Sequence, residues 1–391
     1  MKTSELEYKK NRVKDDTAQK YYFESNGEAL PPPVLSLSVN NNCYMRCKMC
    51  DIGAANAKRI DDINDAHMSE RYLKDKKYRE FPFERIKALV DEMAGYDTII
   101  RTNFIEPLLY SHFRELVEYV KSKGLRFYTI TNGWLLPKHA EWAVEAGVDV
   151  LRVSIDGPRD IHDDIRGMKG SFDRSMKGLK LAVEHKRKLG VESPILGICY
   201  TISNHNYQHL VDFMEILDRE DILKDIYVNF SHLQFASAWE VEKSIEADPE
   251  FFADLKACST VGVDPALVNT EVLANQIARL RERFPQEKYH YYFDPDLKDD
   301  SLVEYYDDST WMFKDEPCFL PWYVTQVDVD GEVAVRGHCI LPPFGNIMDK
   351  TFMEVWNSDA AIRLRRRLKE RGTVAACNKC IGTLYKLRGR G

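Results

Sequence analysis

The stretch VLSLSVNNNCYMRCKMCDIG, residues 34–53, decides how the rest of the chain is read. Its first six residues, VLSLSV, form a short apolar run of the kind that makes a buried strand. Three cysteines follow at once, Cys43, Cys47 and Cys50, spaced C-x3-C-x2-C. Thiolates on one loop after a strand can converge on an inorganic cluster, and as soft ligands they suit iron–sulfur centres. Three is one too few to close a tetrahedral set, so one iron would be left to bind a chelating small molecule. The spacing alone leaves two alternatives: a zinc site completed by a nearby His or by Asp51, or reduced cysteines that merely adjoin.

Outward from this loop, strand-like runs alternate with amphipathic stretches from residue 34 to about 235. The strand candidates are 34–39, 97–103, 126–132, 150–156, 195–203 and 226–234; the helical stretches are 82–95, 111–124, 138–147, 171–190 and 206–220. Several of the latter begin at Ser or end at Gly, as caps require. Six βα-type repeats imply a parallel sheet with right-handed crossovers, either open or rolled into an incomplete barrel. In both, chemistry sits at the C-terminal ends of the strands, which is where the cysteine loop lies. Residues 1–32 read as a charged leader closed by LPPP, residues 33–235 as the α/β unit, and 236–310 as a helical, acidic, then aromatic-rich connector. Residues 311–391 read as a separate small α+β unit. It holds a hairpin around Asp330-Gly331 and the basic helix RLRRRLKERG (363–372), expected to be a solvated face.

The 391 residues are 44% hydrophobic and 30% charged with a net charge of −7, an ordinary globular composition that disfavours a nucleic-acid binder. Apolar stretches such as ILGICYTI (195–202) are far short of the roughly 20 residues a membrane span needs. The polar N-terminus has no secretory h-region, and nine cysteines without an export signal point to a reducing, cytoplasmic setting.

The cysteine triad resembles that of the radical S-adenosylmethionine superfamily, whose [4Fe–4S] cluster leaves one iron to the amino and carboxylate groups of S-adenosylmethionine. The resemblance extends along the chain. NFIEPLL (103–109) is similar to the family's Gly-Gly-Glu-Pro turn, with Glu106 and Pro107 kept and both glycines replaced, by Phe104 and Ile105. ITNGWLL (130–136) and VSIDGPRDIHDDIRGMKGSFD (153–173) resemble the subfamily with a C-terminal SPASM or shortened twitch cluster domain. The resemblance implies that Glu106 holds the methionyl amino group, Ser154 the ribose and Arg166 the carboxylate, with Asn132 and Asp156 nearby. A guanidinium fork suits a carboxylate and a hydroxyl suits a ribose diol.

Cys318, Cys339, Cys377 and Cys380, the last two as C-x2-C, form a second set that by itself could close a zinc ribbon. Beside the triad it resembles the twitch pattern, in which four cysteines hold one auxiliary [4Fe–4S] cluster, and GNIMDKTFMEVWNS (345–358) resembles that domain's link into its helix. The implied fold is a partial (β/α)6 TIM-like barrel followed by a small cluster domain.

The implied activity is a radical oxidation of a small sugar- or polyol-like substrate, with a peptide as the other substrate class. An external one-electron donor such as flavodoxin or ferredoxin is the expected partner. A radical epimerase using Cys258 as hydrogen-atom donor is the second enzymatic reading, and a zinc-stabilised scaffold the non-enzymatic one. Cys199 is expected to be an inert buried thiol within strand five, and His162 to orient the segment carrying Arg166.

Overall fold

The structure, a computed structural model, describes residues 22–58, 77–253, 255, 262–297, 299–307, 318–335 and 343–380. Its centre is one ten-stranded sheet in the order β10-β9-β8-β1-β2-β3-β4-β5-β6-β7. The first six strands, β1 (Val34–Leu37), β2 (Ile99–Thr102), β3 (Arg126–Thr131), β4 (Val150–Ser154), β5 (Ile195–Ile202) and β6 (Ile226–His232), fall on the six expected runs and pair in parallel. Each is shorter than its run at the C-terminal end or at both ends, because the last residues leave the ladder to build loops. Helices run between these strands: α1 (Asp51–Asn56), α2 (Phe83–Met93), α3 (Phe113–Ser122), α4 (Ala140–Glu145), α5 (Arg159–Arg166), α6 (Ser171–Leu189) and α7 (Leu210–Arg219). The result is an α/β, TIM-like partial barrel.

One strand and one strand pairing were not legible. The aromatic segment at 289–293 supplies β7 (His290–Asp294), a seventh parallel strand on β6, inside the stretch read as a helical connector. The hairpin forms as expected, with Gly331 at φ +84° and its N–H donating to Asp328 O at 3.0 Å. It does not stand apart, however. Its first strand, β8 (Val324–Val327), pairs in parallel with β1, while β9 (Glu332–Ala334) and β10 (Gly345–Asn346) follow antiparallel. A pairing between residues nearly three hundred positions apart leaves no local trace, and a single apolar core runs from β1 through the C-terminal helices.

Beyond the sheet lie α8 (Ala238–Ala247), α9 (Thr270–Arg283), α10 (Asp299–Asp307), α11 (Phe352–Trp356) and α12 (Asp359–Arg371). The arginine-rich run on α12 is not a solvated face. Arg365 is fully buried, its guanidinium 4.1 Å from the Trp356 ring centre and hydrogen-bonded to Pro321 O at 3.0 Å and Gly27 O at 3.1 Å. Arg367 is buried on Asp248 at 2.7 Å. The end of the leader and residue 248 supply partners that composition alone could not reveal. No described helix is long and apolar enough to cross a membrane.

Behind β6, His232 is buried against Tyr305 and Tyr306 of α10, with Nδ1 2.9 Å from the Tyr306 hydroxyl. Burial pulls its pKa down to about 3. The unfolded chain, at about 6.5, therefore takes up the proton first, so stability is complete above that value and declines as pH falls through the window. Near pH 5 the wild type should lose about 2 kcal/mol relative to pH 7.5. His232→Gln, which still offers Tyr306 an acceptor, should lose that component, and urea unfolding of both proteins at the two pH values checks it.

Candidate active site

The cysteine loop leaves β1 at the C-terminal edge of the barrel and is pinned on several sides. Arg46 N–H donates to Arg166 O at 3.2 Å and Lys48 N–H to Ile165 O at 2.8 Å, so the loop docks on the end of α5. Asn56 Nδ2 reaches back to Met45 O at 2.8 Å, and Asn40 Nδ2 donates to Glu106 O at 2.9 Å. Two glycines make this approach possible. A Cβ on Gly53 would lie 2.4 Å from the Cys47 backbone N and O, and one on Gly167, at φ +59°, would lie 2.5 Å from Arg46 O. Gly167→Ala is accordingly expected to unseat the loop, and iron analysis of the reconstituted protein should show about half the wild-type content.

Around the loop the structure joins Glu106 and Asn132 to Cys43, and Asp156 and Arg166 to Cys47. Asn132 Nδ2 lies 3.8 Å from Cys43 Sγ and Arg166 Nη1 4.0 Å from Cys47 Sγ. Asp156, fully buried, accepts Arg166 Nε and Nη2 on one oxygen, each at 2.6 Å, and the Thr201 N–H on the other at 3.0 Å. Glu106 is also fully buried: it accepts from Thr131 Oγ1 at 2.7 Å, Asn132 N–H at 2.8 Å and Leu108 N–H at 3.1 Å. Burial pushes its carboxyl up to about 7, against the pull of Asn132, Thr131, Leu108 and Arg166. Ile105, where the family turn carries glycine, keeps a left-handed backbone at φ +60°, a cost of about 1–3 kcal/mol for a β-branched residue. His162 sits on α5 itself, and its Nδ1 accepts the Asp156 N–H at 3.1 Å. Ser154 closes β4, half-buried. Burial raises the pKa of all three thiols, that of Cys50 to about 11, so their conversion to thiolates depends on the metal.

The donor set fits a cluster with S-adenosylmethionine. Cys43 and Cys50 share an apolar patch with Ile52, Ile105 and Val329, a guanidinium and an amide point at thiol sulfurs, and the buried Asn103 Oδ1 beside the Glu106 turn has no partner. An ammonium group would satisfy such an orphaned acceptor. At the second set, burial first and then the nearby Cys377 and Cys380 raise the pKa of Cys318, and burial with Cys380 raises that of Cys377 to about 12. Cys339 and Cys258 both lie outside the described residues.

Sequence reasoning missed the inner face of the barrel. In register, Ser154, Cys199, Asn229 and Tyr292 form one row across β4 to β7, and Arg152, Gly197, Tyr227 and His290 the row beneath. Along β5 and β7 this face is partly exposed at Cys199, Thr201, His290, Tyr292 and Asp294, whereas Ile198, Tyr200, Tyr291 and Phe293 on the other face are buried. The inner face of the partial barrel, its lumen side, is therefore polar and partly open. Cys199, expected to be inert packing, belongs to it. The period-two placing of Arg152 and Ser154 in VLRVS was the available signal.

Comparison with known proteins bears on the family and the fold. Residues 37–217 match the model of the Radical SAM superfamily, and residues 318–381 that of the SPASM iron–sulfur cluster-binding domain. Fe-coproporphyrin III synthase of Methanosarcina barkeri is 30% identical over 206 residues, 52% of this chain and 45% of that protein. AdoMet-dependent heme synthase of Nitratidesulfovibrio vulgaris is 30% identical over 190 residues, 48% of this chain and 45% of that one. The chain thus spans less than half the length of these relatives. SuiB of Streptococcus suis bound to S-adenosylmethionine shares the fold at a TM-score of 0.59 and 12% identity, over 90% of this chain and 71% of that one. SuiB bound to its precursor peptide SuiA gives 0.60 and 13%, over 94% and 73%.

Proposed function

The chain belongs to the radical SAM superfamily, in the branch with a C-terminal SPASM domain, and from that premise we propose that it oxidises a small, oxygen-rich substrate held in the barrel lumen. The cofactors of such a chain are S-adenosylmethionine and two iron–sulfur clusters. Cys43, Cys47 and Cys50 would hold the first cluster, and Cys318, Cys339, Cys377 and Cys380 the second. When bound, the first cluster with S-adenosylmethionine supplies a hydrogen-abstracting 5′-deoxyadenosyl radical, and the second an acceptor for one electron.

The observation that carries this reading is the polar inner face. Tyr128, Arg152, Tyr227, Asn229 and Tyr292 present hydroxyl, amide and guanidinium groups to a space backed by a sealed apolar layer. Such a lining orients hydroxyl-bearing carbons and keeps bulk water from the reacting atom. Ser154 and Arg166, at the rim, position S-adenosylmethionine above it, with Glu106 and Asp156 fixing Asn132 and Arg166 from behind. A flavodoxin- or ferredoxin-type donor would reduce the first cluster. The peptide bound by SuiB makes a peptide side chain the other candidate substrate class.

Cys199 favours a second reading. Its thiol lies on the lumen face at the level of Ser154, so inversion at carbon by hydrogen-atom return would use Cys199 in place of Cys258. Turnover of candidate polyols in deuterated solvent separates the two. Oxidation is expected to remove two hydrogens from the substrate and to survive Cys199→Ala; deuterium gained at carbon, and lost in Cys199→Ala, would establish epimerisation.

A further inference from the structure

The loop that carries Cys377 and Cys380 is fastened to the barrel by one face of a single helix. Glu240, Ser244 and Asp248 stand at i, i+4 and i+8 along α8 and its C-terminal cap, and all three are buried. Ser244 Oγ accepts the Ala376 N–H at 2.9 Å, one residue before Cys377. Asp248 accepts Arg367 Nε at 2.7 Å and Arg371 Nη1 at 3.2 Å from α12, the helix that leads into the loop. Glu240 faces Lys379, the residue immediately before Cys380, at 3.8 Å. Lys379 is 4% exposed, and its ammonium lies 4.2 Å from the ring centre of Phe235, just beyond β6. Glu240 is itself held in place by the capping box that opens α8, where its Oε2 accepts the Ser237 N–H at 2.7 Å.

Two buried ion pairs thus flank the C-x2-C segment, and the anion of each belongs to α8 or its cap. As fasteners they are expensive, because apolar residues of similar volume often hold a fold as well without the cost of desolvating charge. Charge has a further consequence here. In a low-dielectric interior it acts strongly on a neighbouring iron–sulfur centre, whose potential follows the net charge around it. Lys379 is the chain neighbour of Cys380. Burial raises the Cys377 pKa, and the Arg367 charge is near enough to oppose it. On the cysteine assignment made above, we propose that the pairs Glu240–Lys379 and Asp248–Arg367 set the reduction potential of the second cluster, the two cations raising it and the two α8 carboxylates lowering it. They are positioning residues that act through the cluster, on how readily it takes up an electron.

The test is a redox titration of the reconstituted full-length protein, with each cluster followed by electron paramagnetic resonance. Glu240→Gln removes a negative charge and Lys379→Gln a positive one. At a fixed poise the reduced-to-oxidised ratio of the second cluster is expected to rise about tenfold in the first variant and to fall about tenfold in the second, about 59 mV each way for a one-electron couple. Lys379→Arg, which keeps the charge, should stay near the wild type, and the first cluster should move in none of the three. Opposite shifts are the signature, since a loosened loop would move both neutral variants in one sense. Should either fail to fold, as judged by circular dichroism, Asp248→Asn and Arg367→Gln supply the upward and downward arms at the other pair. A second cluster whose potential stays put, moves in one sense in both arms, or moves only as much as the first cluster does overturns the proposal and leaves the cysteine assignment standing. A wild type that holds one cluster overturns both.

Discussion

Cys47→Ala is expected to end 5′-deoxyadenosine formation altogether and to lower iron from about eight to about four atoms per chain. Cys47 is the most enclosed of the three loop thiols: 7% exposed, with Arg166 Nη1 4.0 Å from its sulfur and Gly53 packed against its backbone. Alanine removes the ligand and its contact with Arg166 but keeps the two backbone hydrogen bonds from the loop to α5 and the Lys48–Asp164 ion pair. Cys380→Ala should lose a similar amount of iron at the other end of the chain while S-adenosylmethionine cleavage continues. Product oxidation should stop in that variant, because the acceptor and not the radical source has been damaged. Iron analysis, electron paramagnetic resonance of the reduced proteins and chromatography of 5′-deoxyadenosine make the comparison. Cleavage persisting in Cys47→Ala, or ceasing equally in Cys380→Ala, would show that the two cysteine sets do not divide the work in this way.

The contrast between what was and was not legible follows the range of the interactions. The cysteine triad, Glu106, Asn132, Ser154, Asp156 and Arg166 sit on short segments whose order along the chain mirrors strand order in the sheet, which is why motif reading could propose them. The six βα strands were legible for the same reason, each being a local apolar run with a helix after it. β7, a five-residue aromatic run beside a proline, was not, and neither was the parallel pairing of the hairpin arm β8 with β1. The buried arginines of α12 share that cause, since their acceptors lie at Gly27, Asp248 and Pro321. The inner face of the barrel is the instructive case. Arg152 stands amid apolar residues of a buried strand, and only the alternation of faces, which needs the sheet register, shows that Arg152, Cys199, Asn229 and Tyr292 share one side of the sheet.

Asp156→Asn should cost the folded state about 3–5 kcal/mol and weaken S-adenosylmethionine binding at least about 100-fold. The carboxylate is fully buried and serves two elements at once. One oxygen takes both Arg166 N–H groups at 2.6 Å, and the other takes the Thr201 N–H at 3.0 Å. An amide in its place has one acceptor oxygen and one NH2, so whichever way it turns a donor faces a donor. The guanidinium, its side chain 13% exposed, then keeps its desolvation penalty without its counter-charge. Because Arg46 and Lys48 hang from the carbonyls of Arg166 and Ile165, a shift in Arg166 is also passed to the cysteine loop. If the stability cost arises from the orphaned cation, then Asp156→Asn with Arg166→Leu should unfold at a higher urea concentration than Asp156→Asn alone, while binding S-adenosylmethionine no better. Stability and binding would thus move in opposite senses in one pair of proteins. A double variant no more stable than the single one would mean that Asp156 acts mainly through Thr201 and the β5 end of the barrel, and that its bond to Arg166 contributes little.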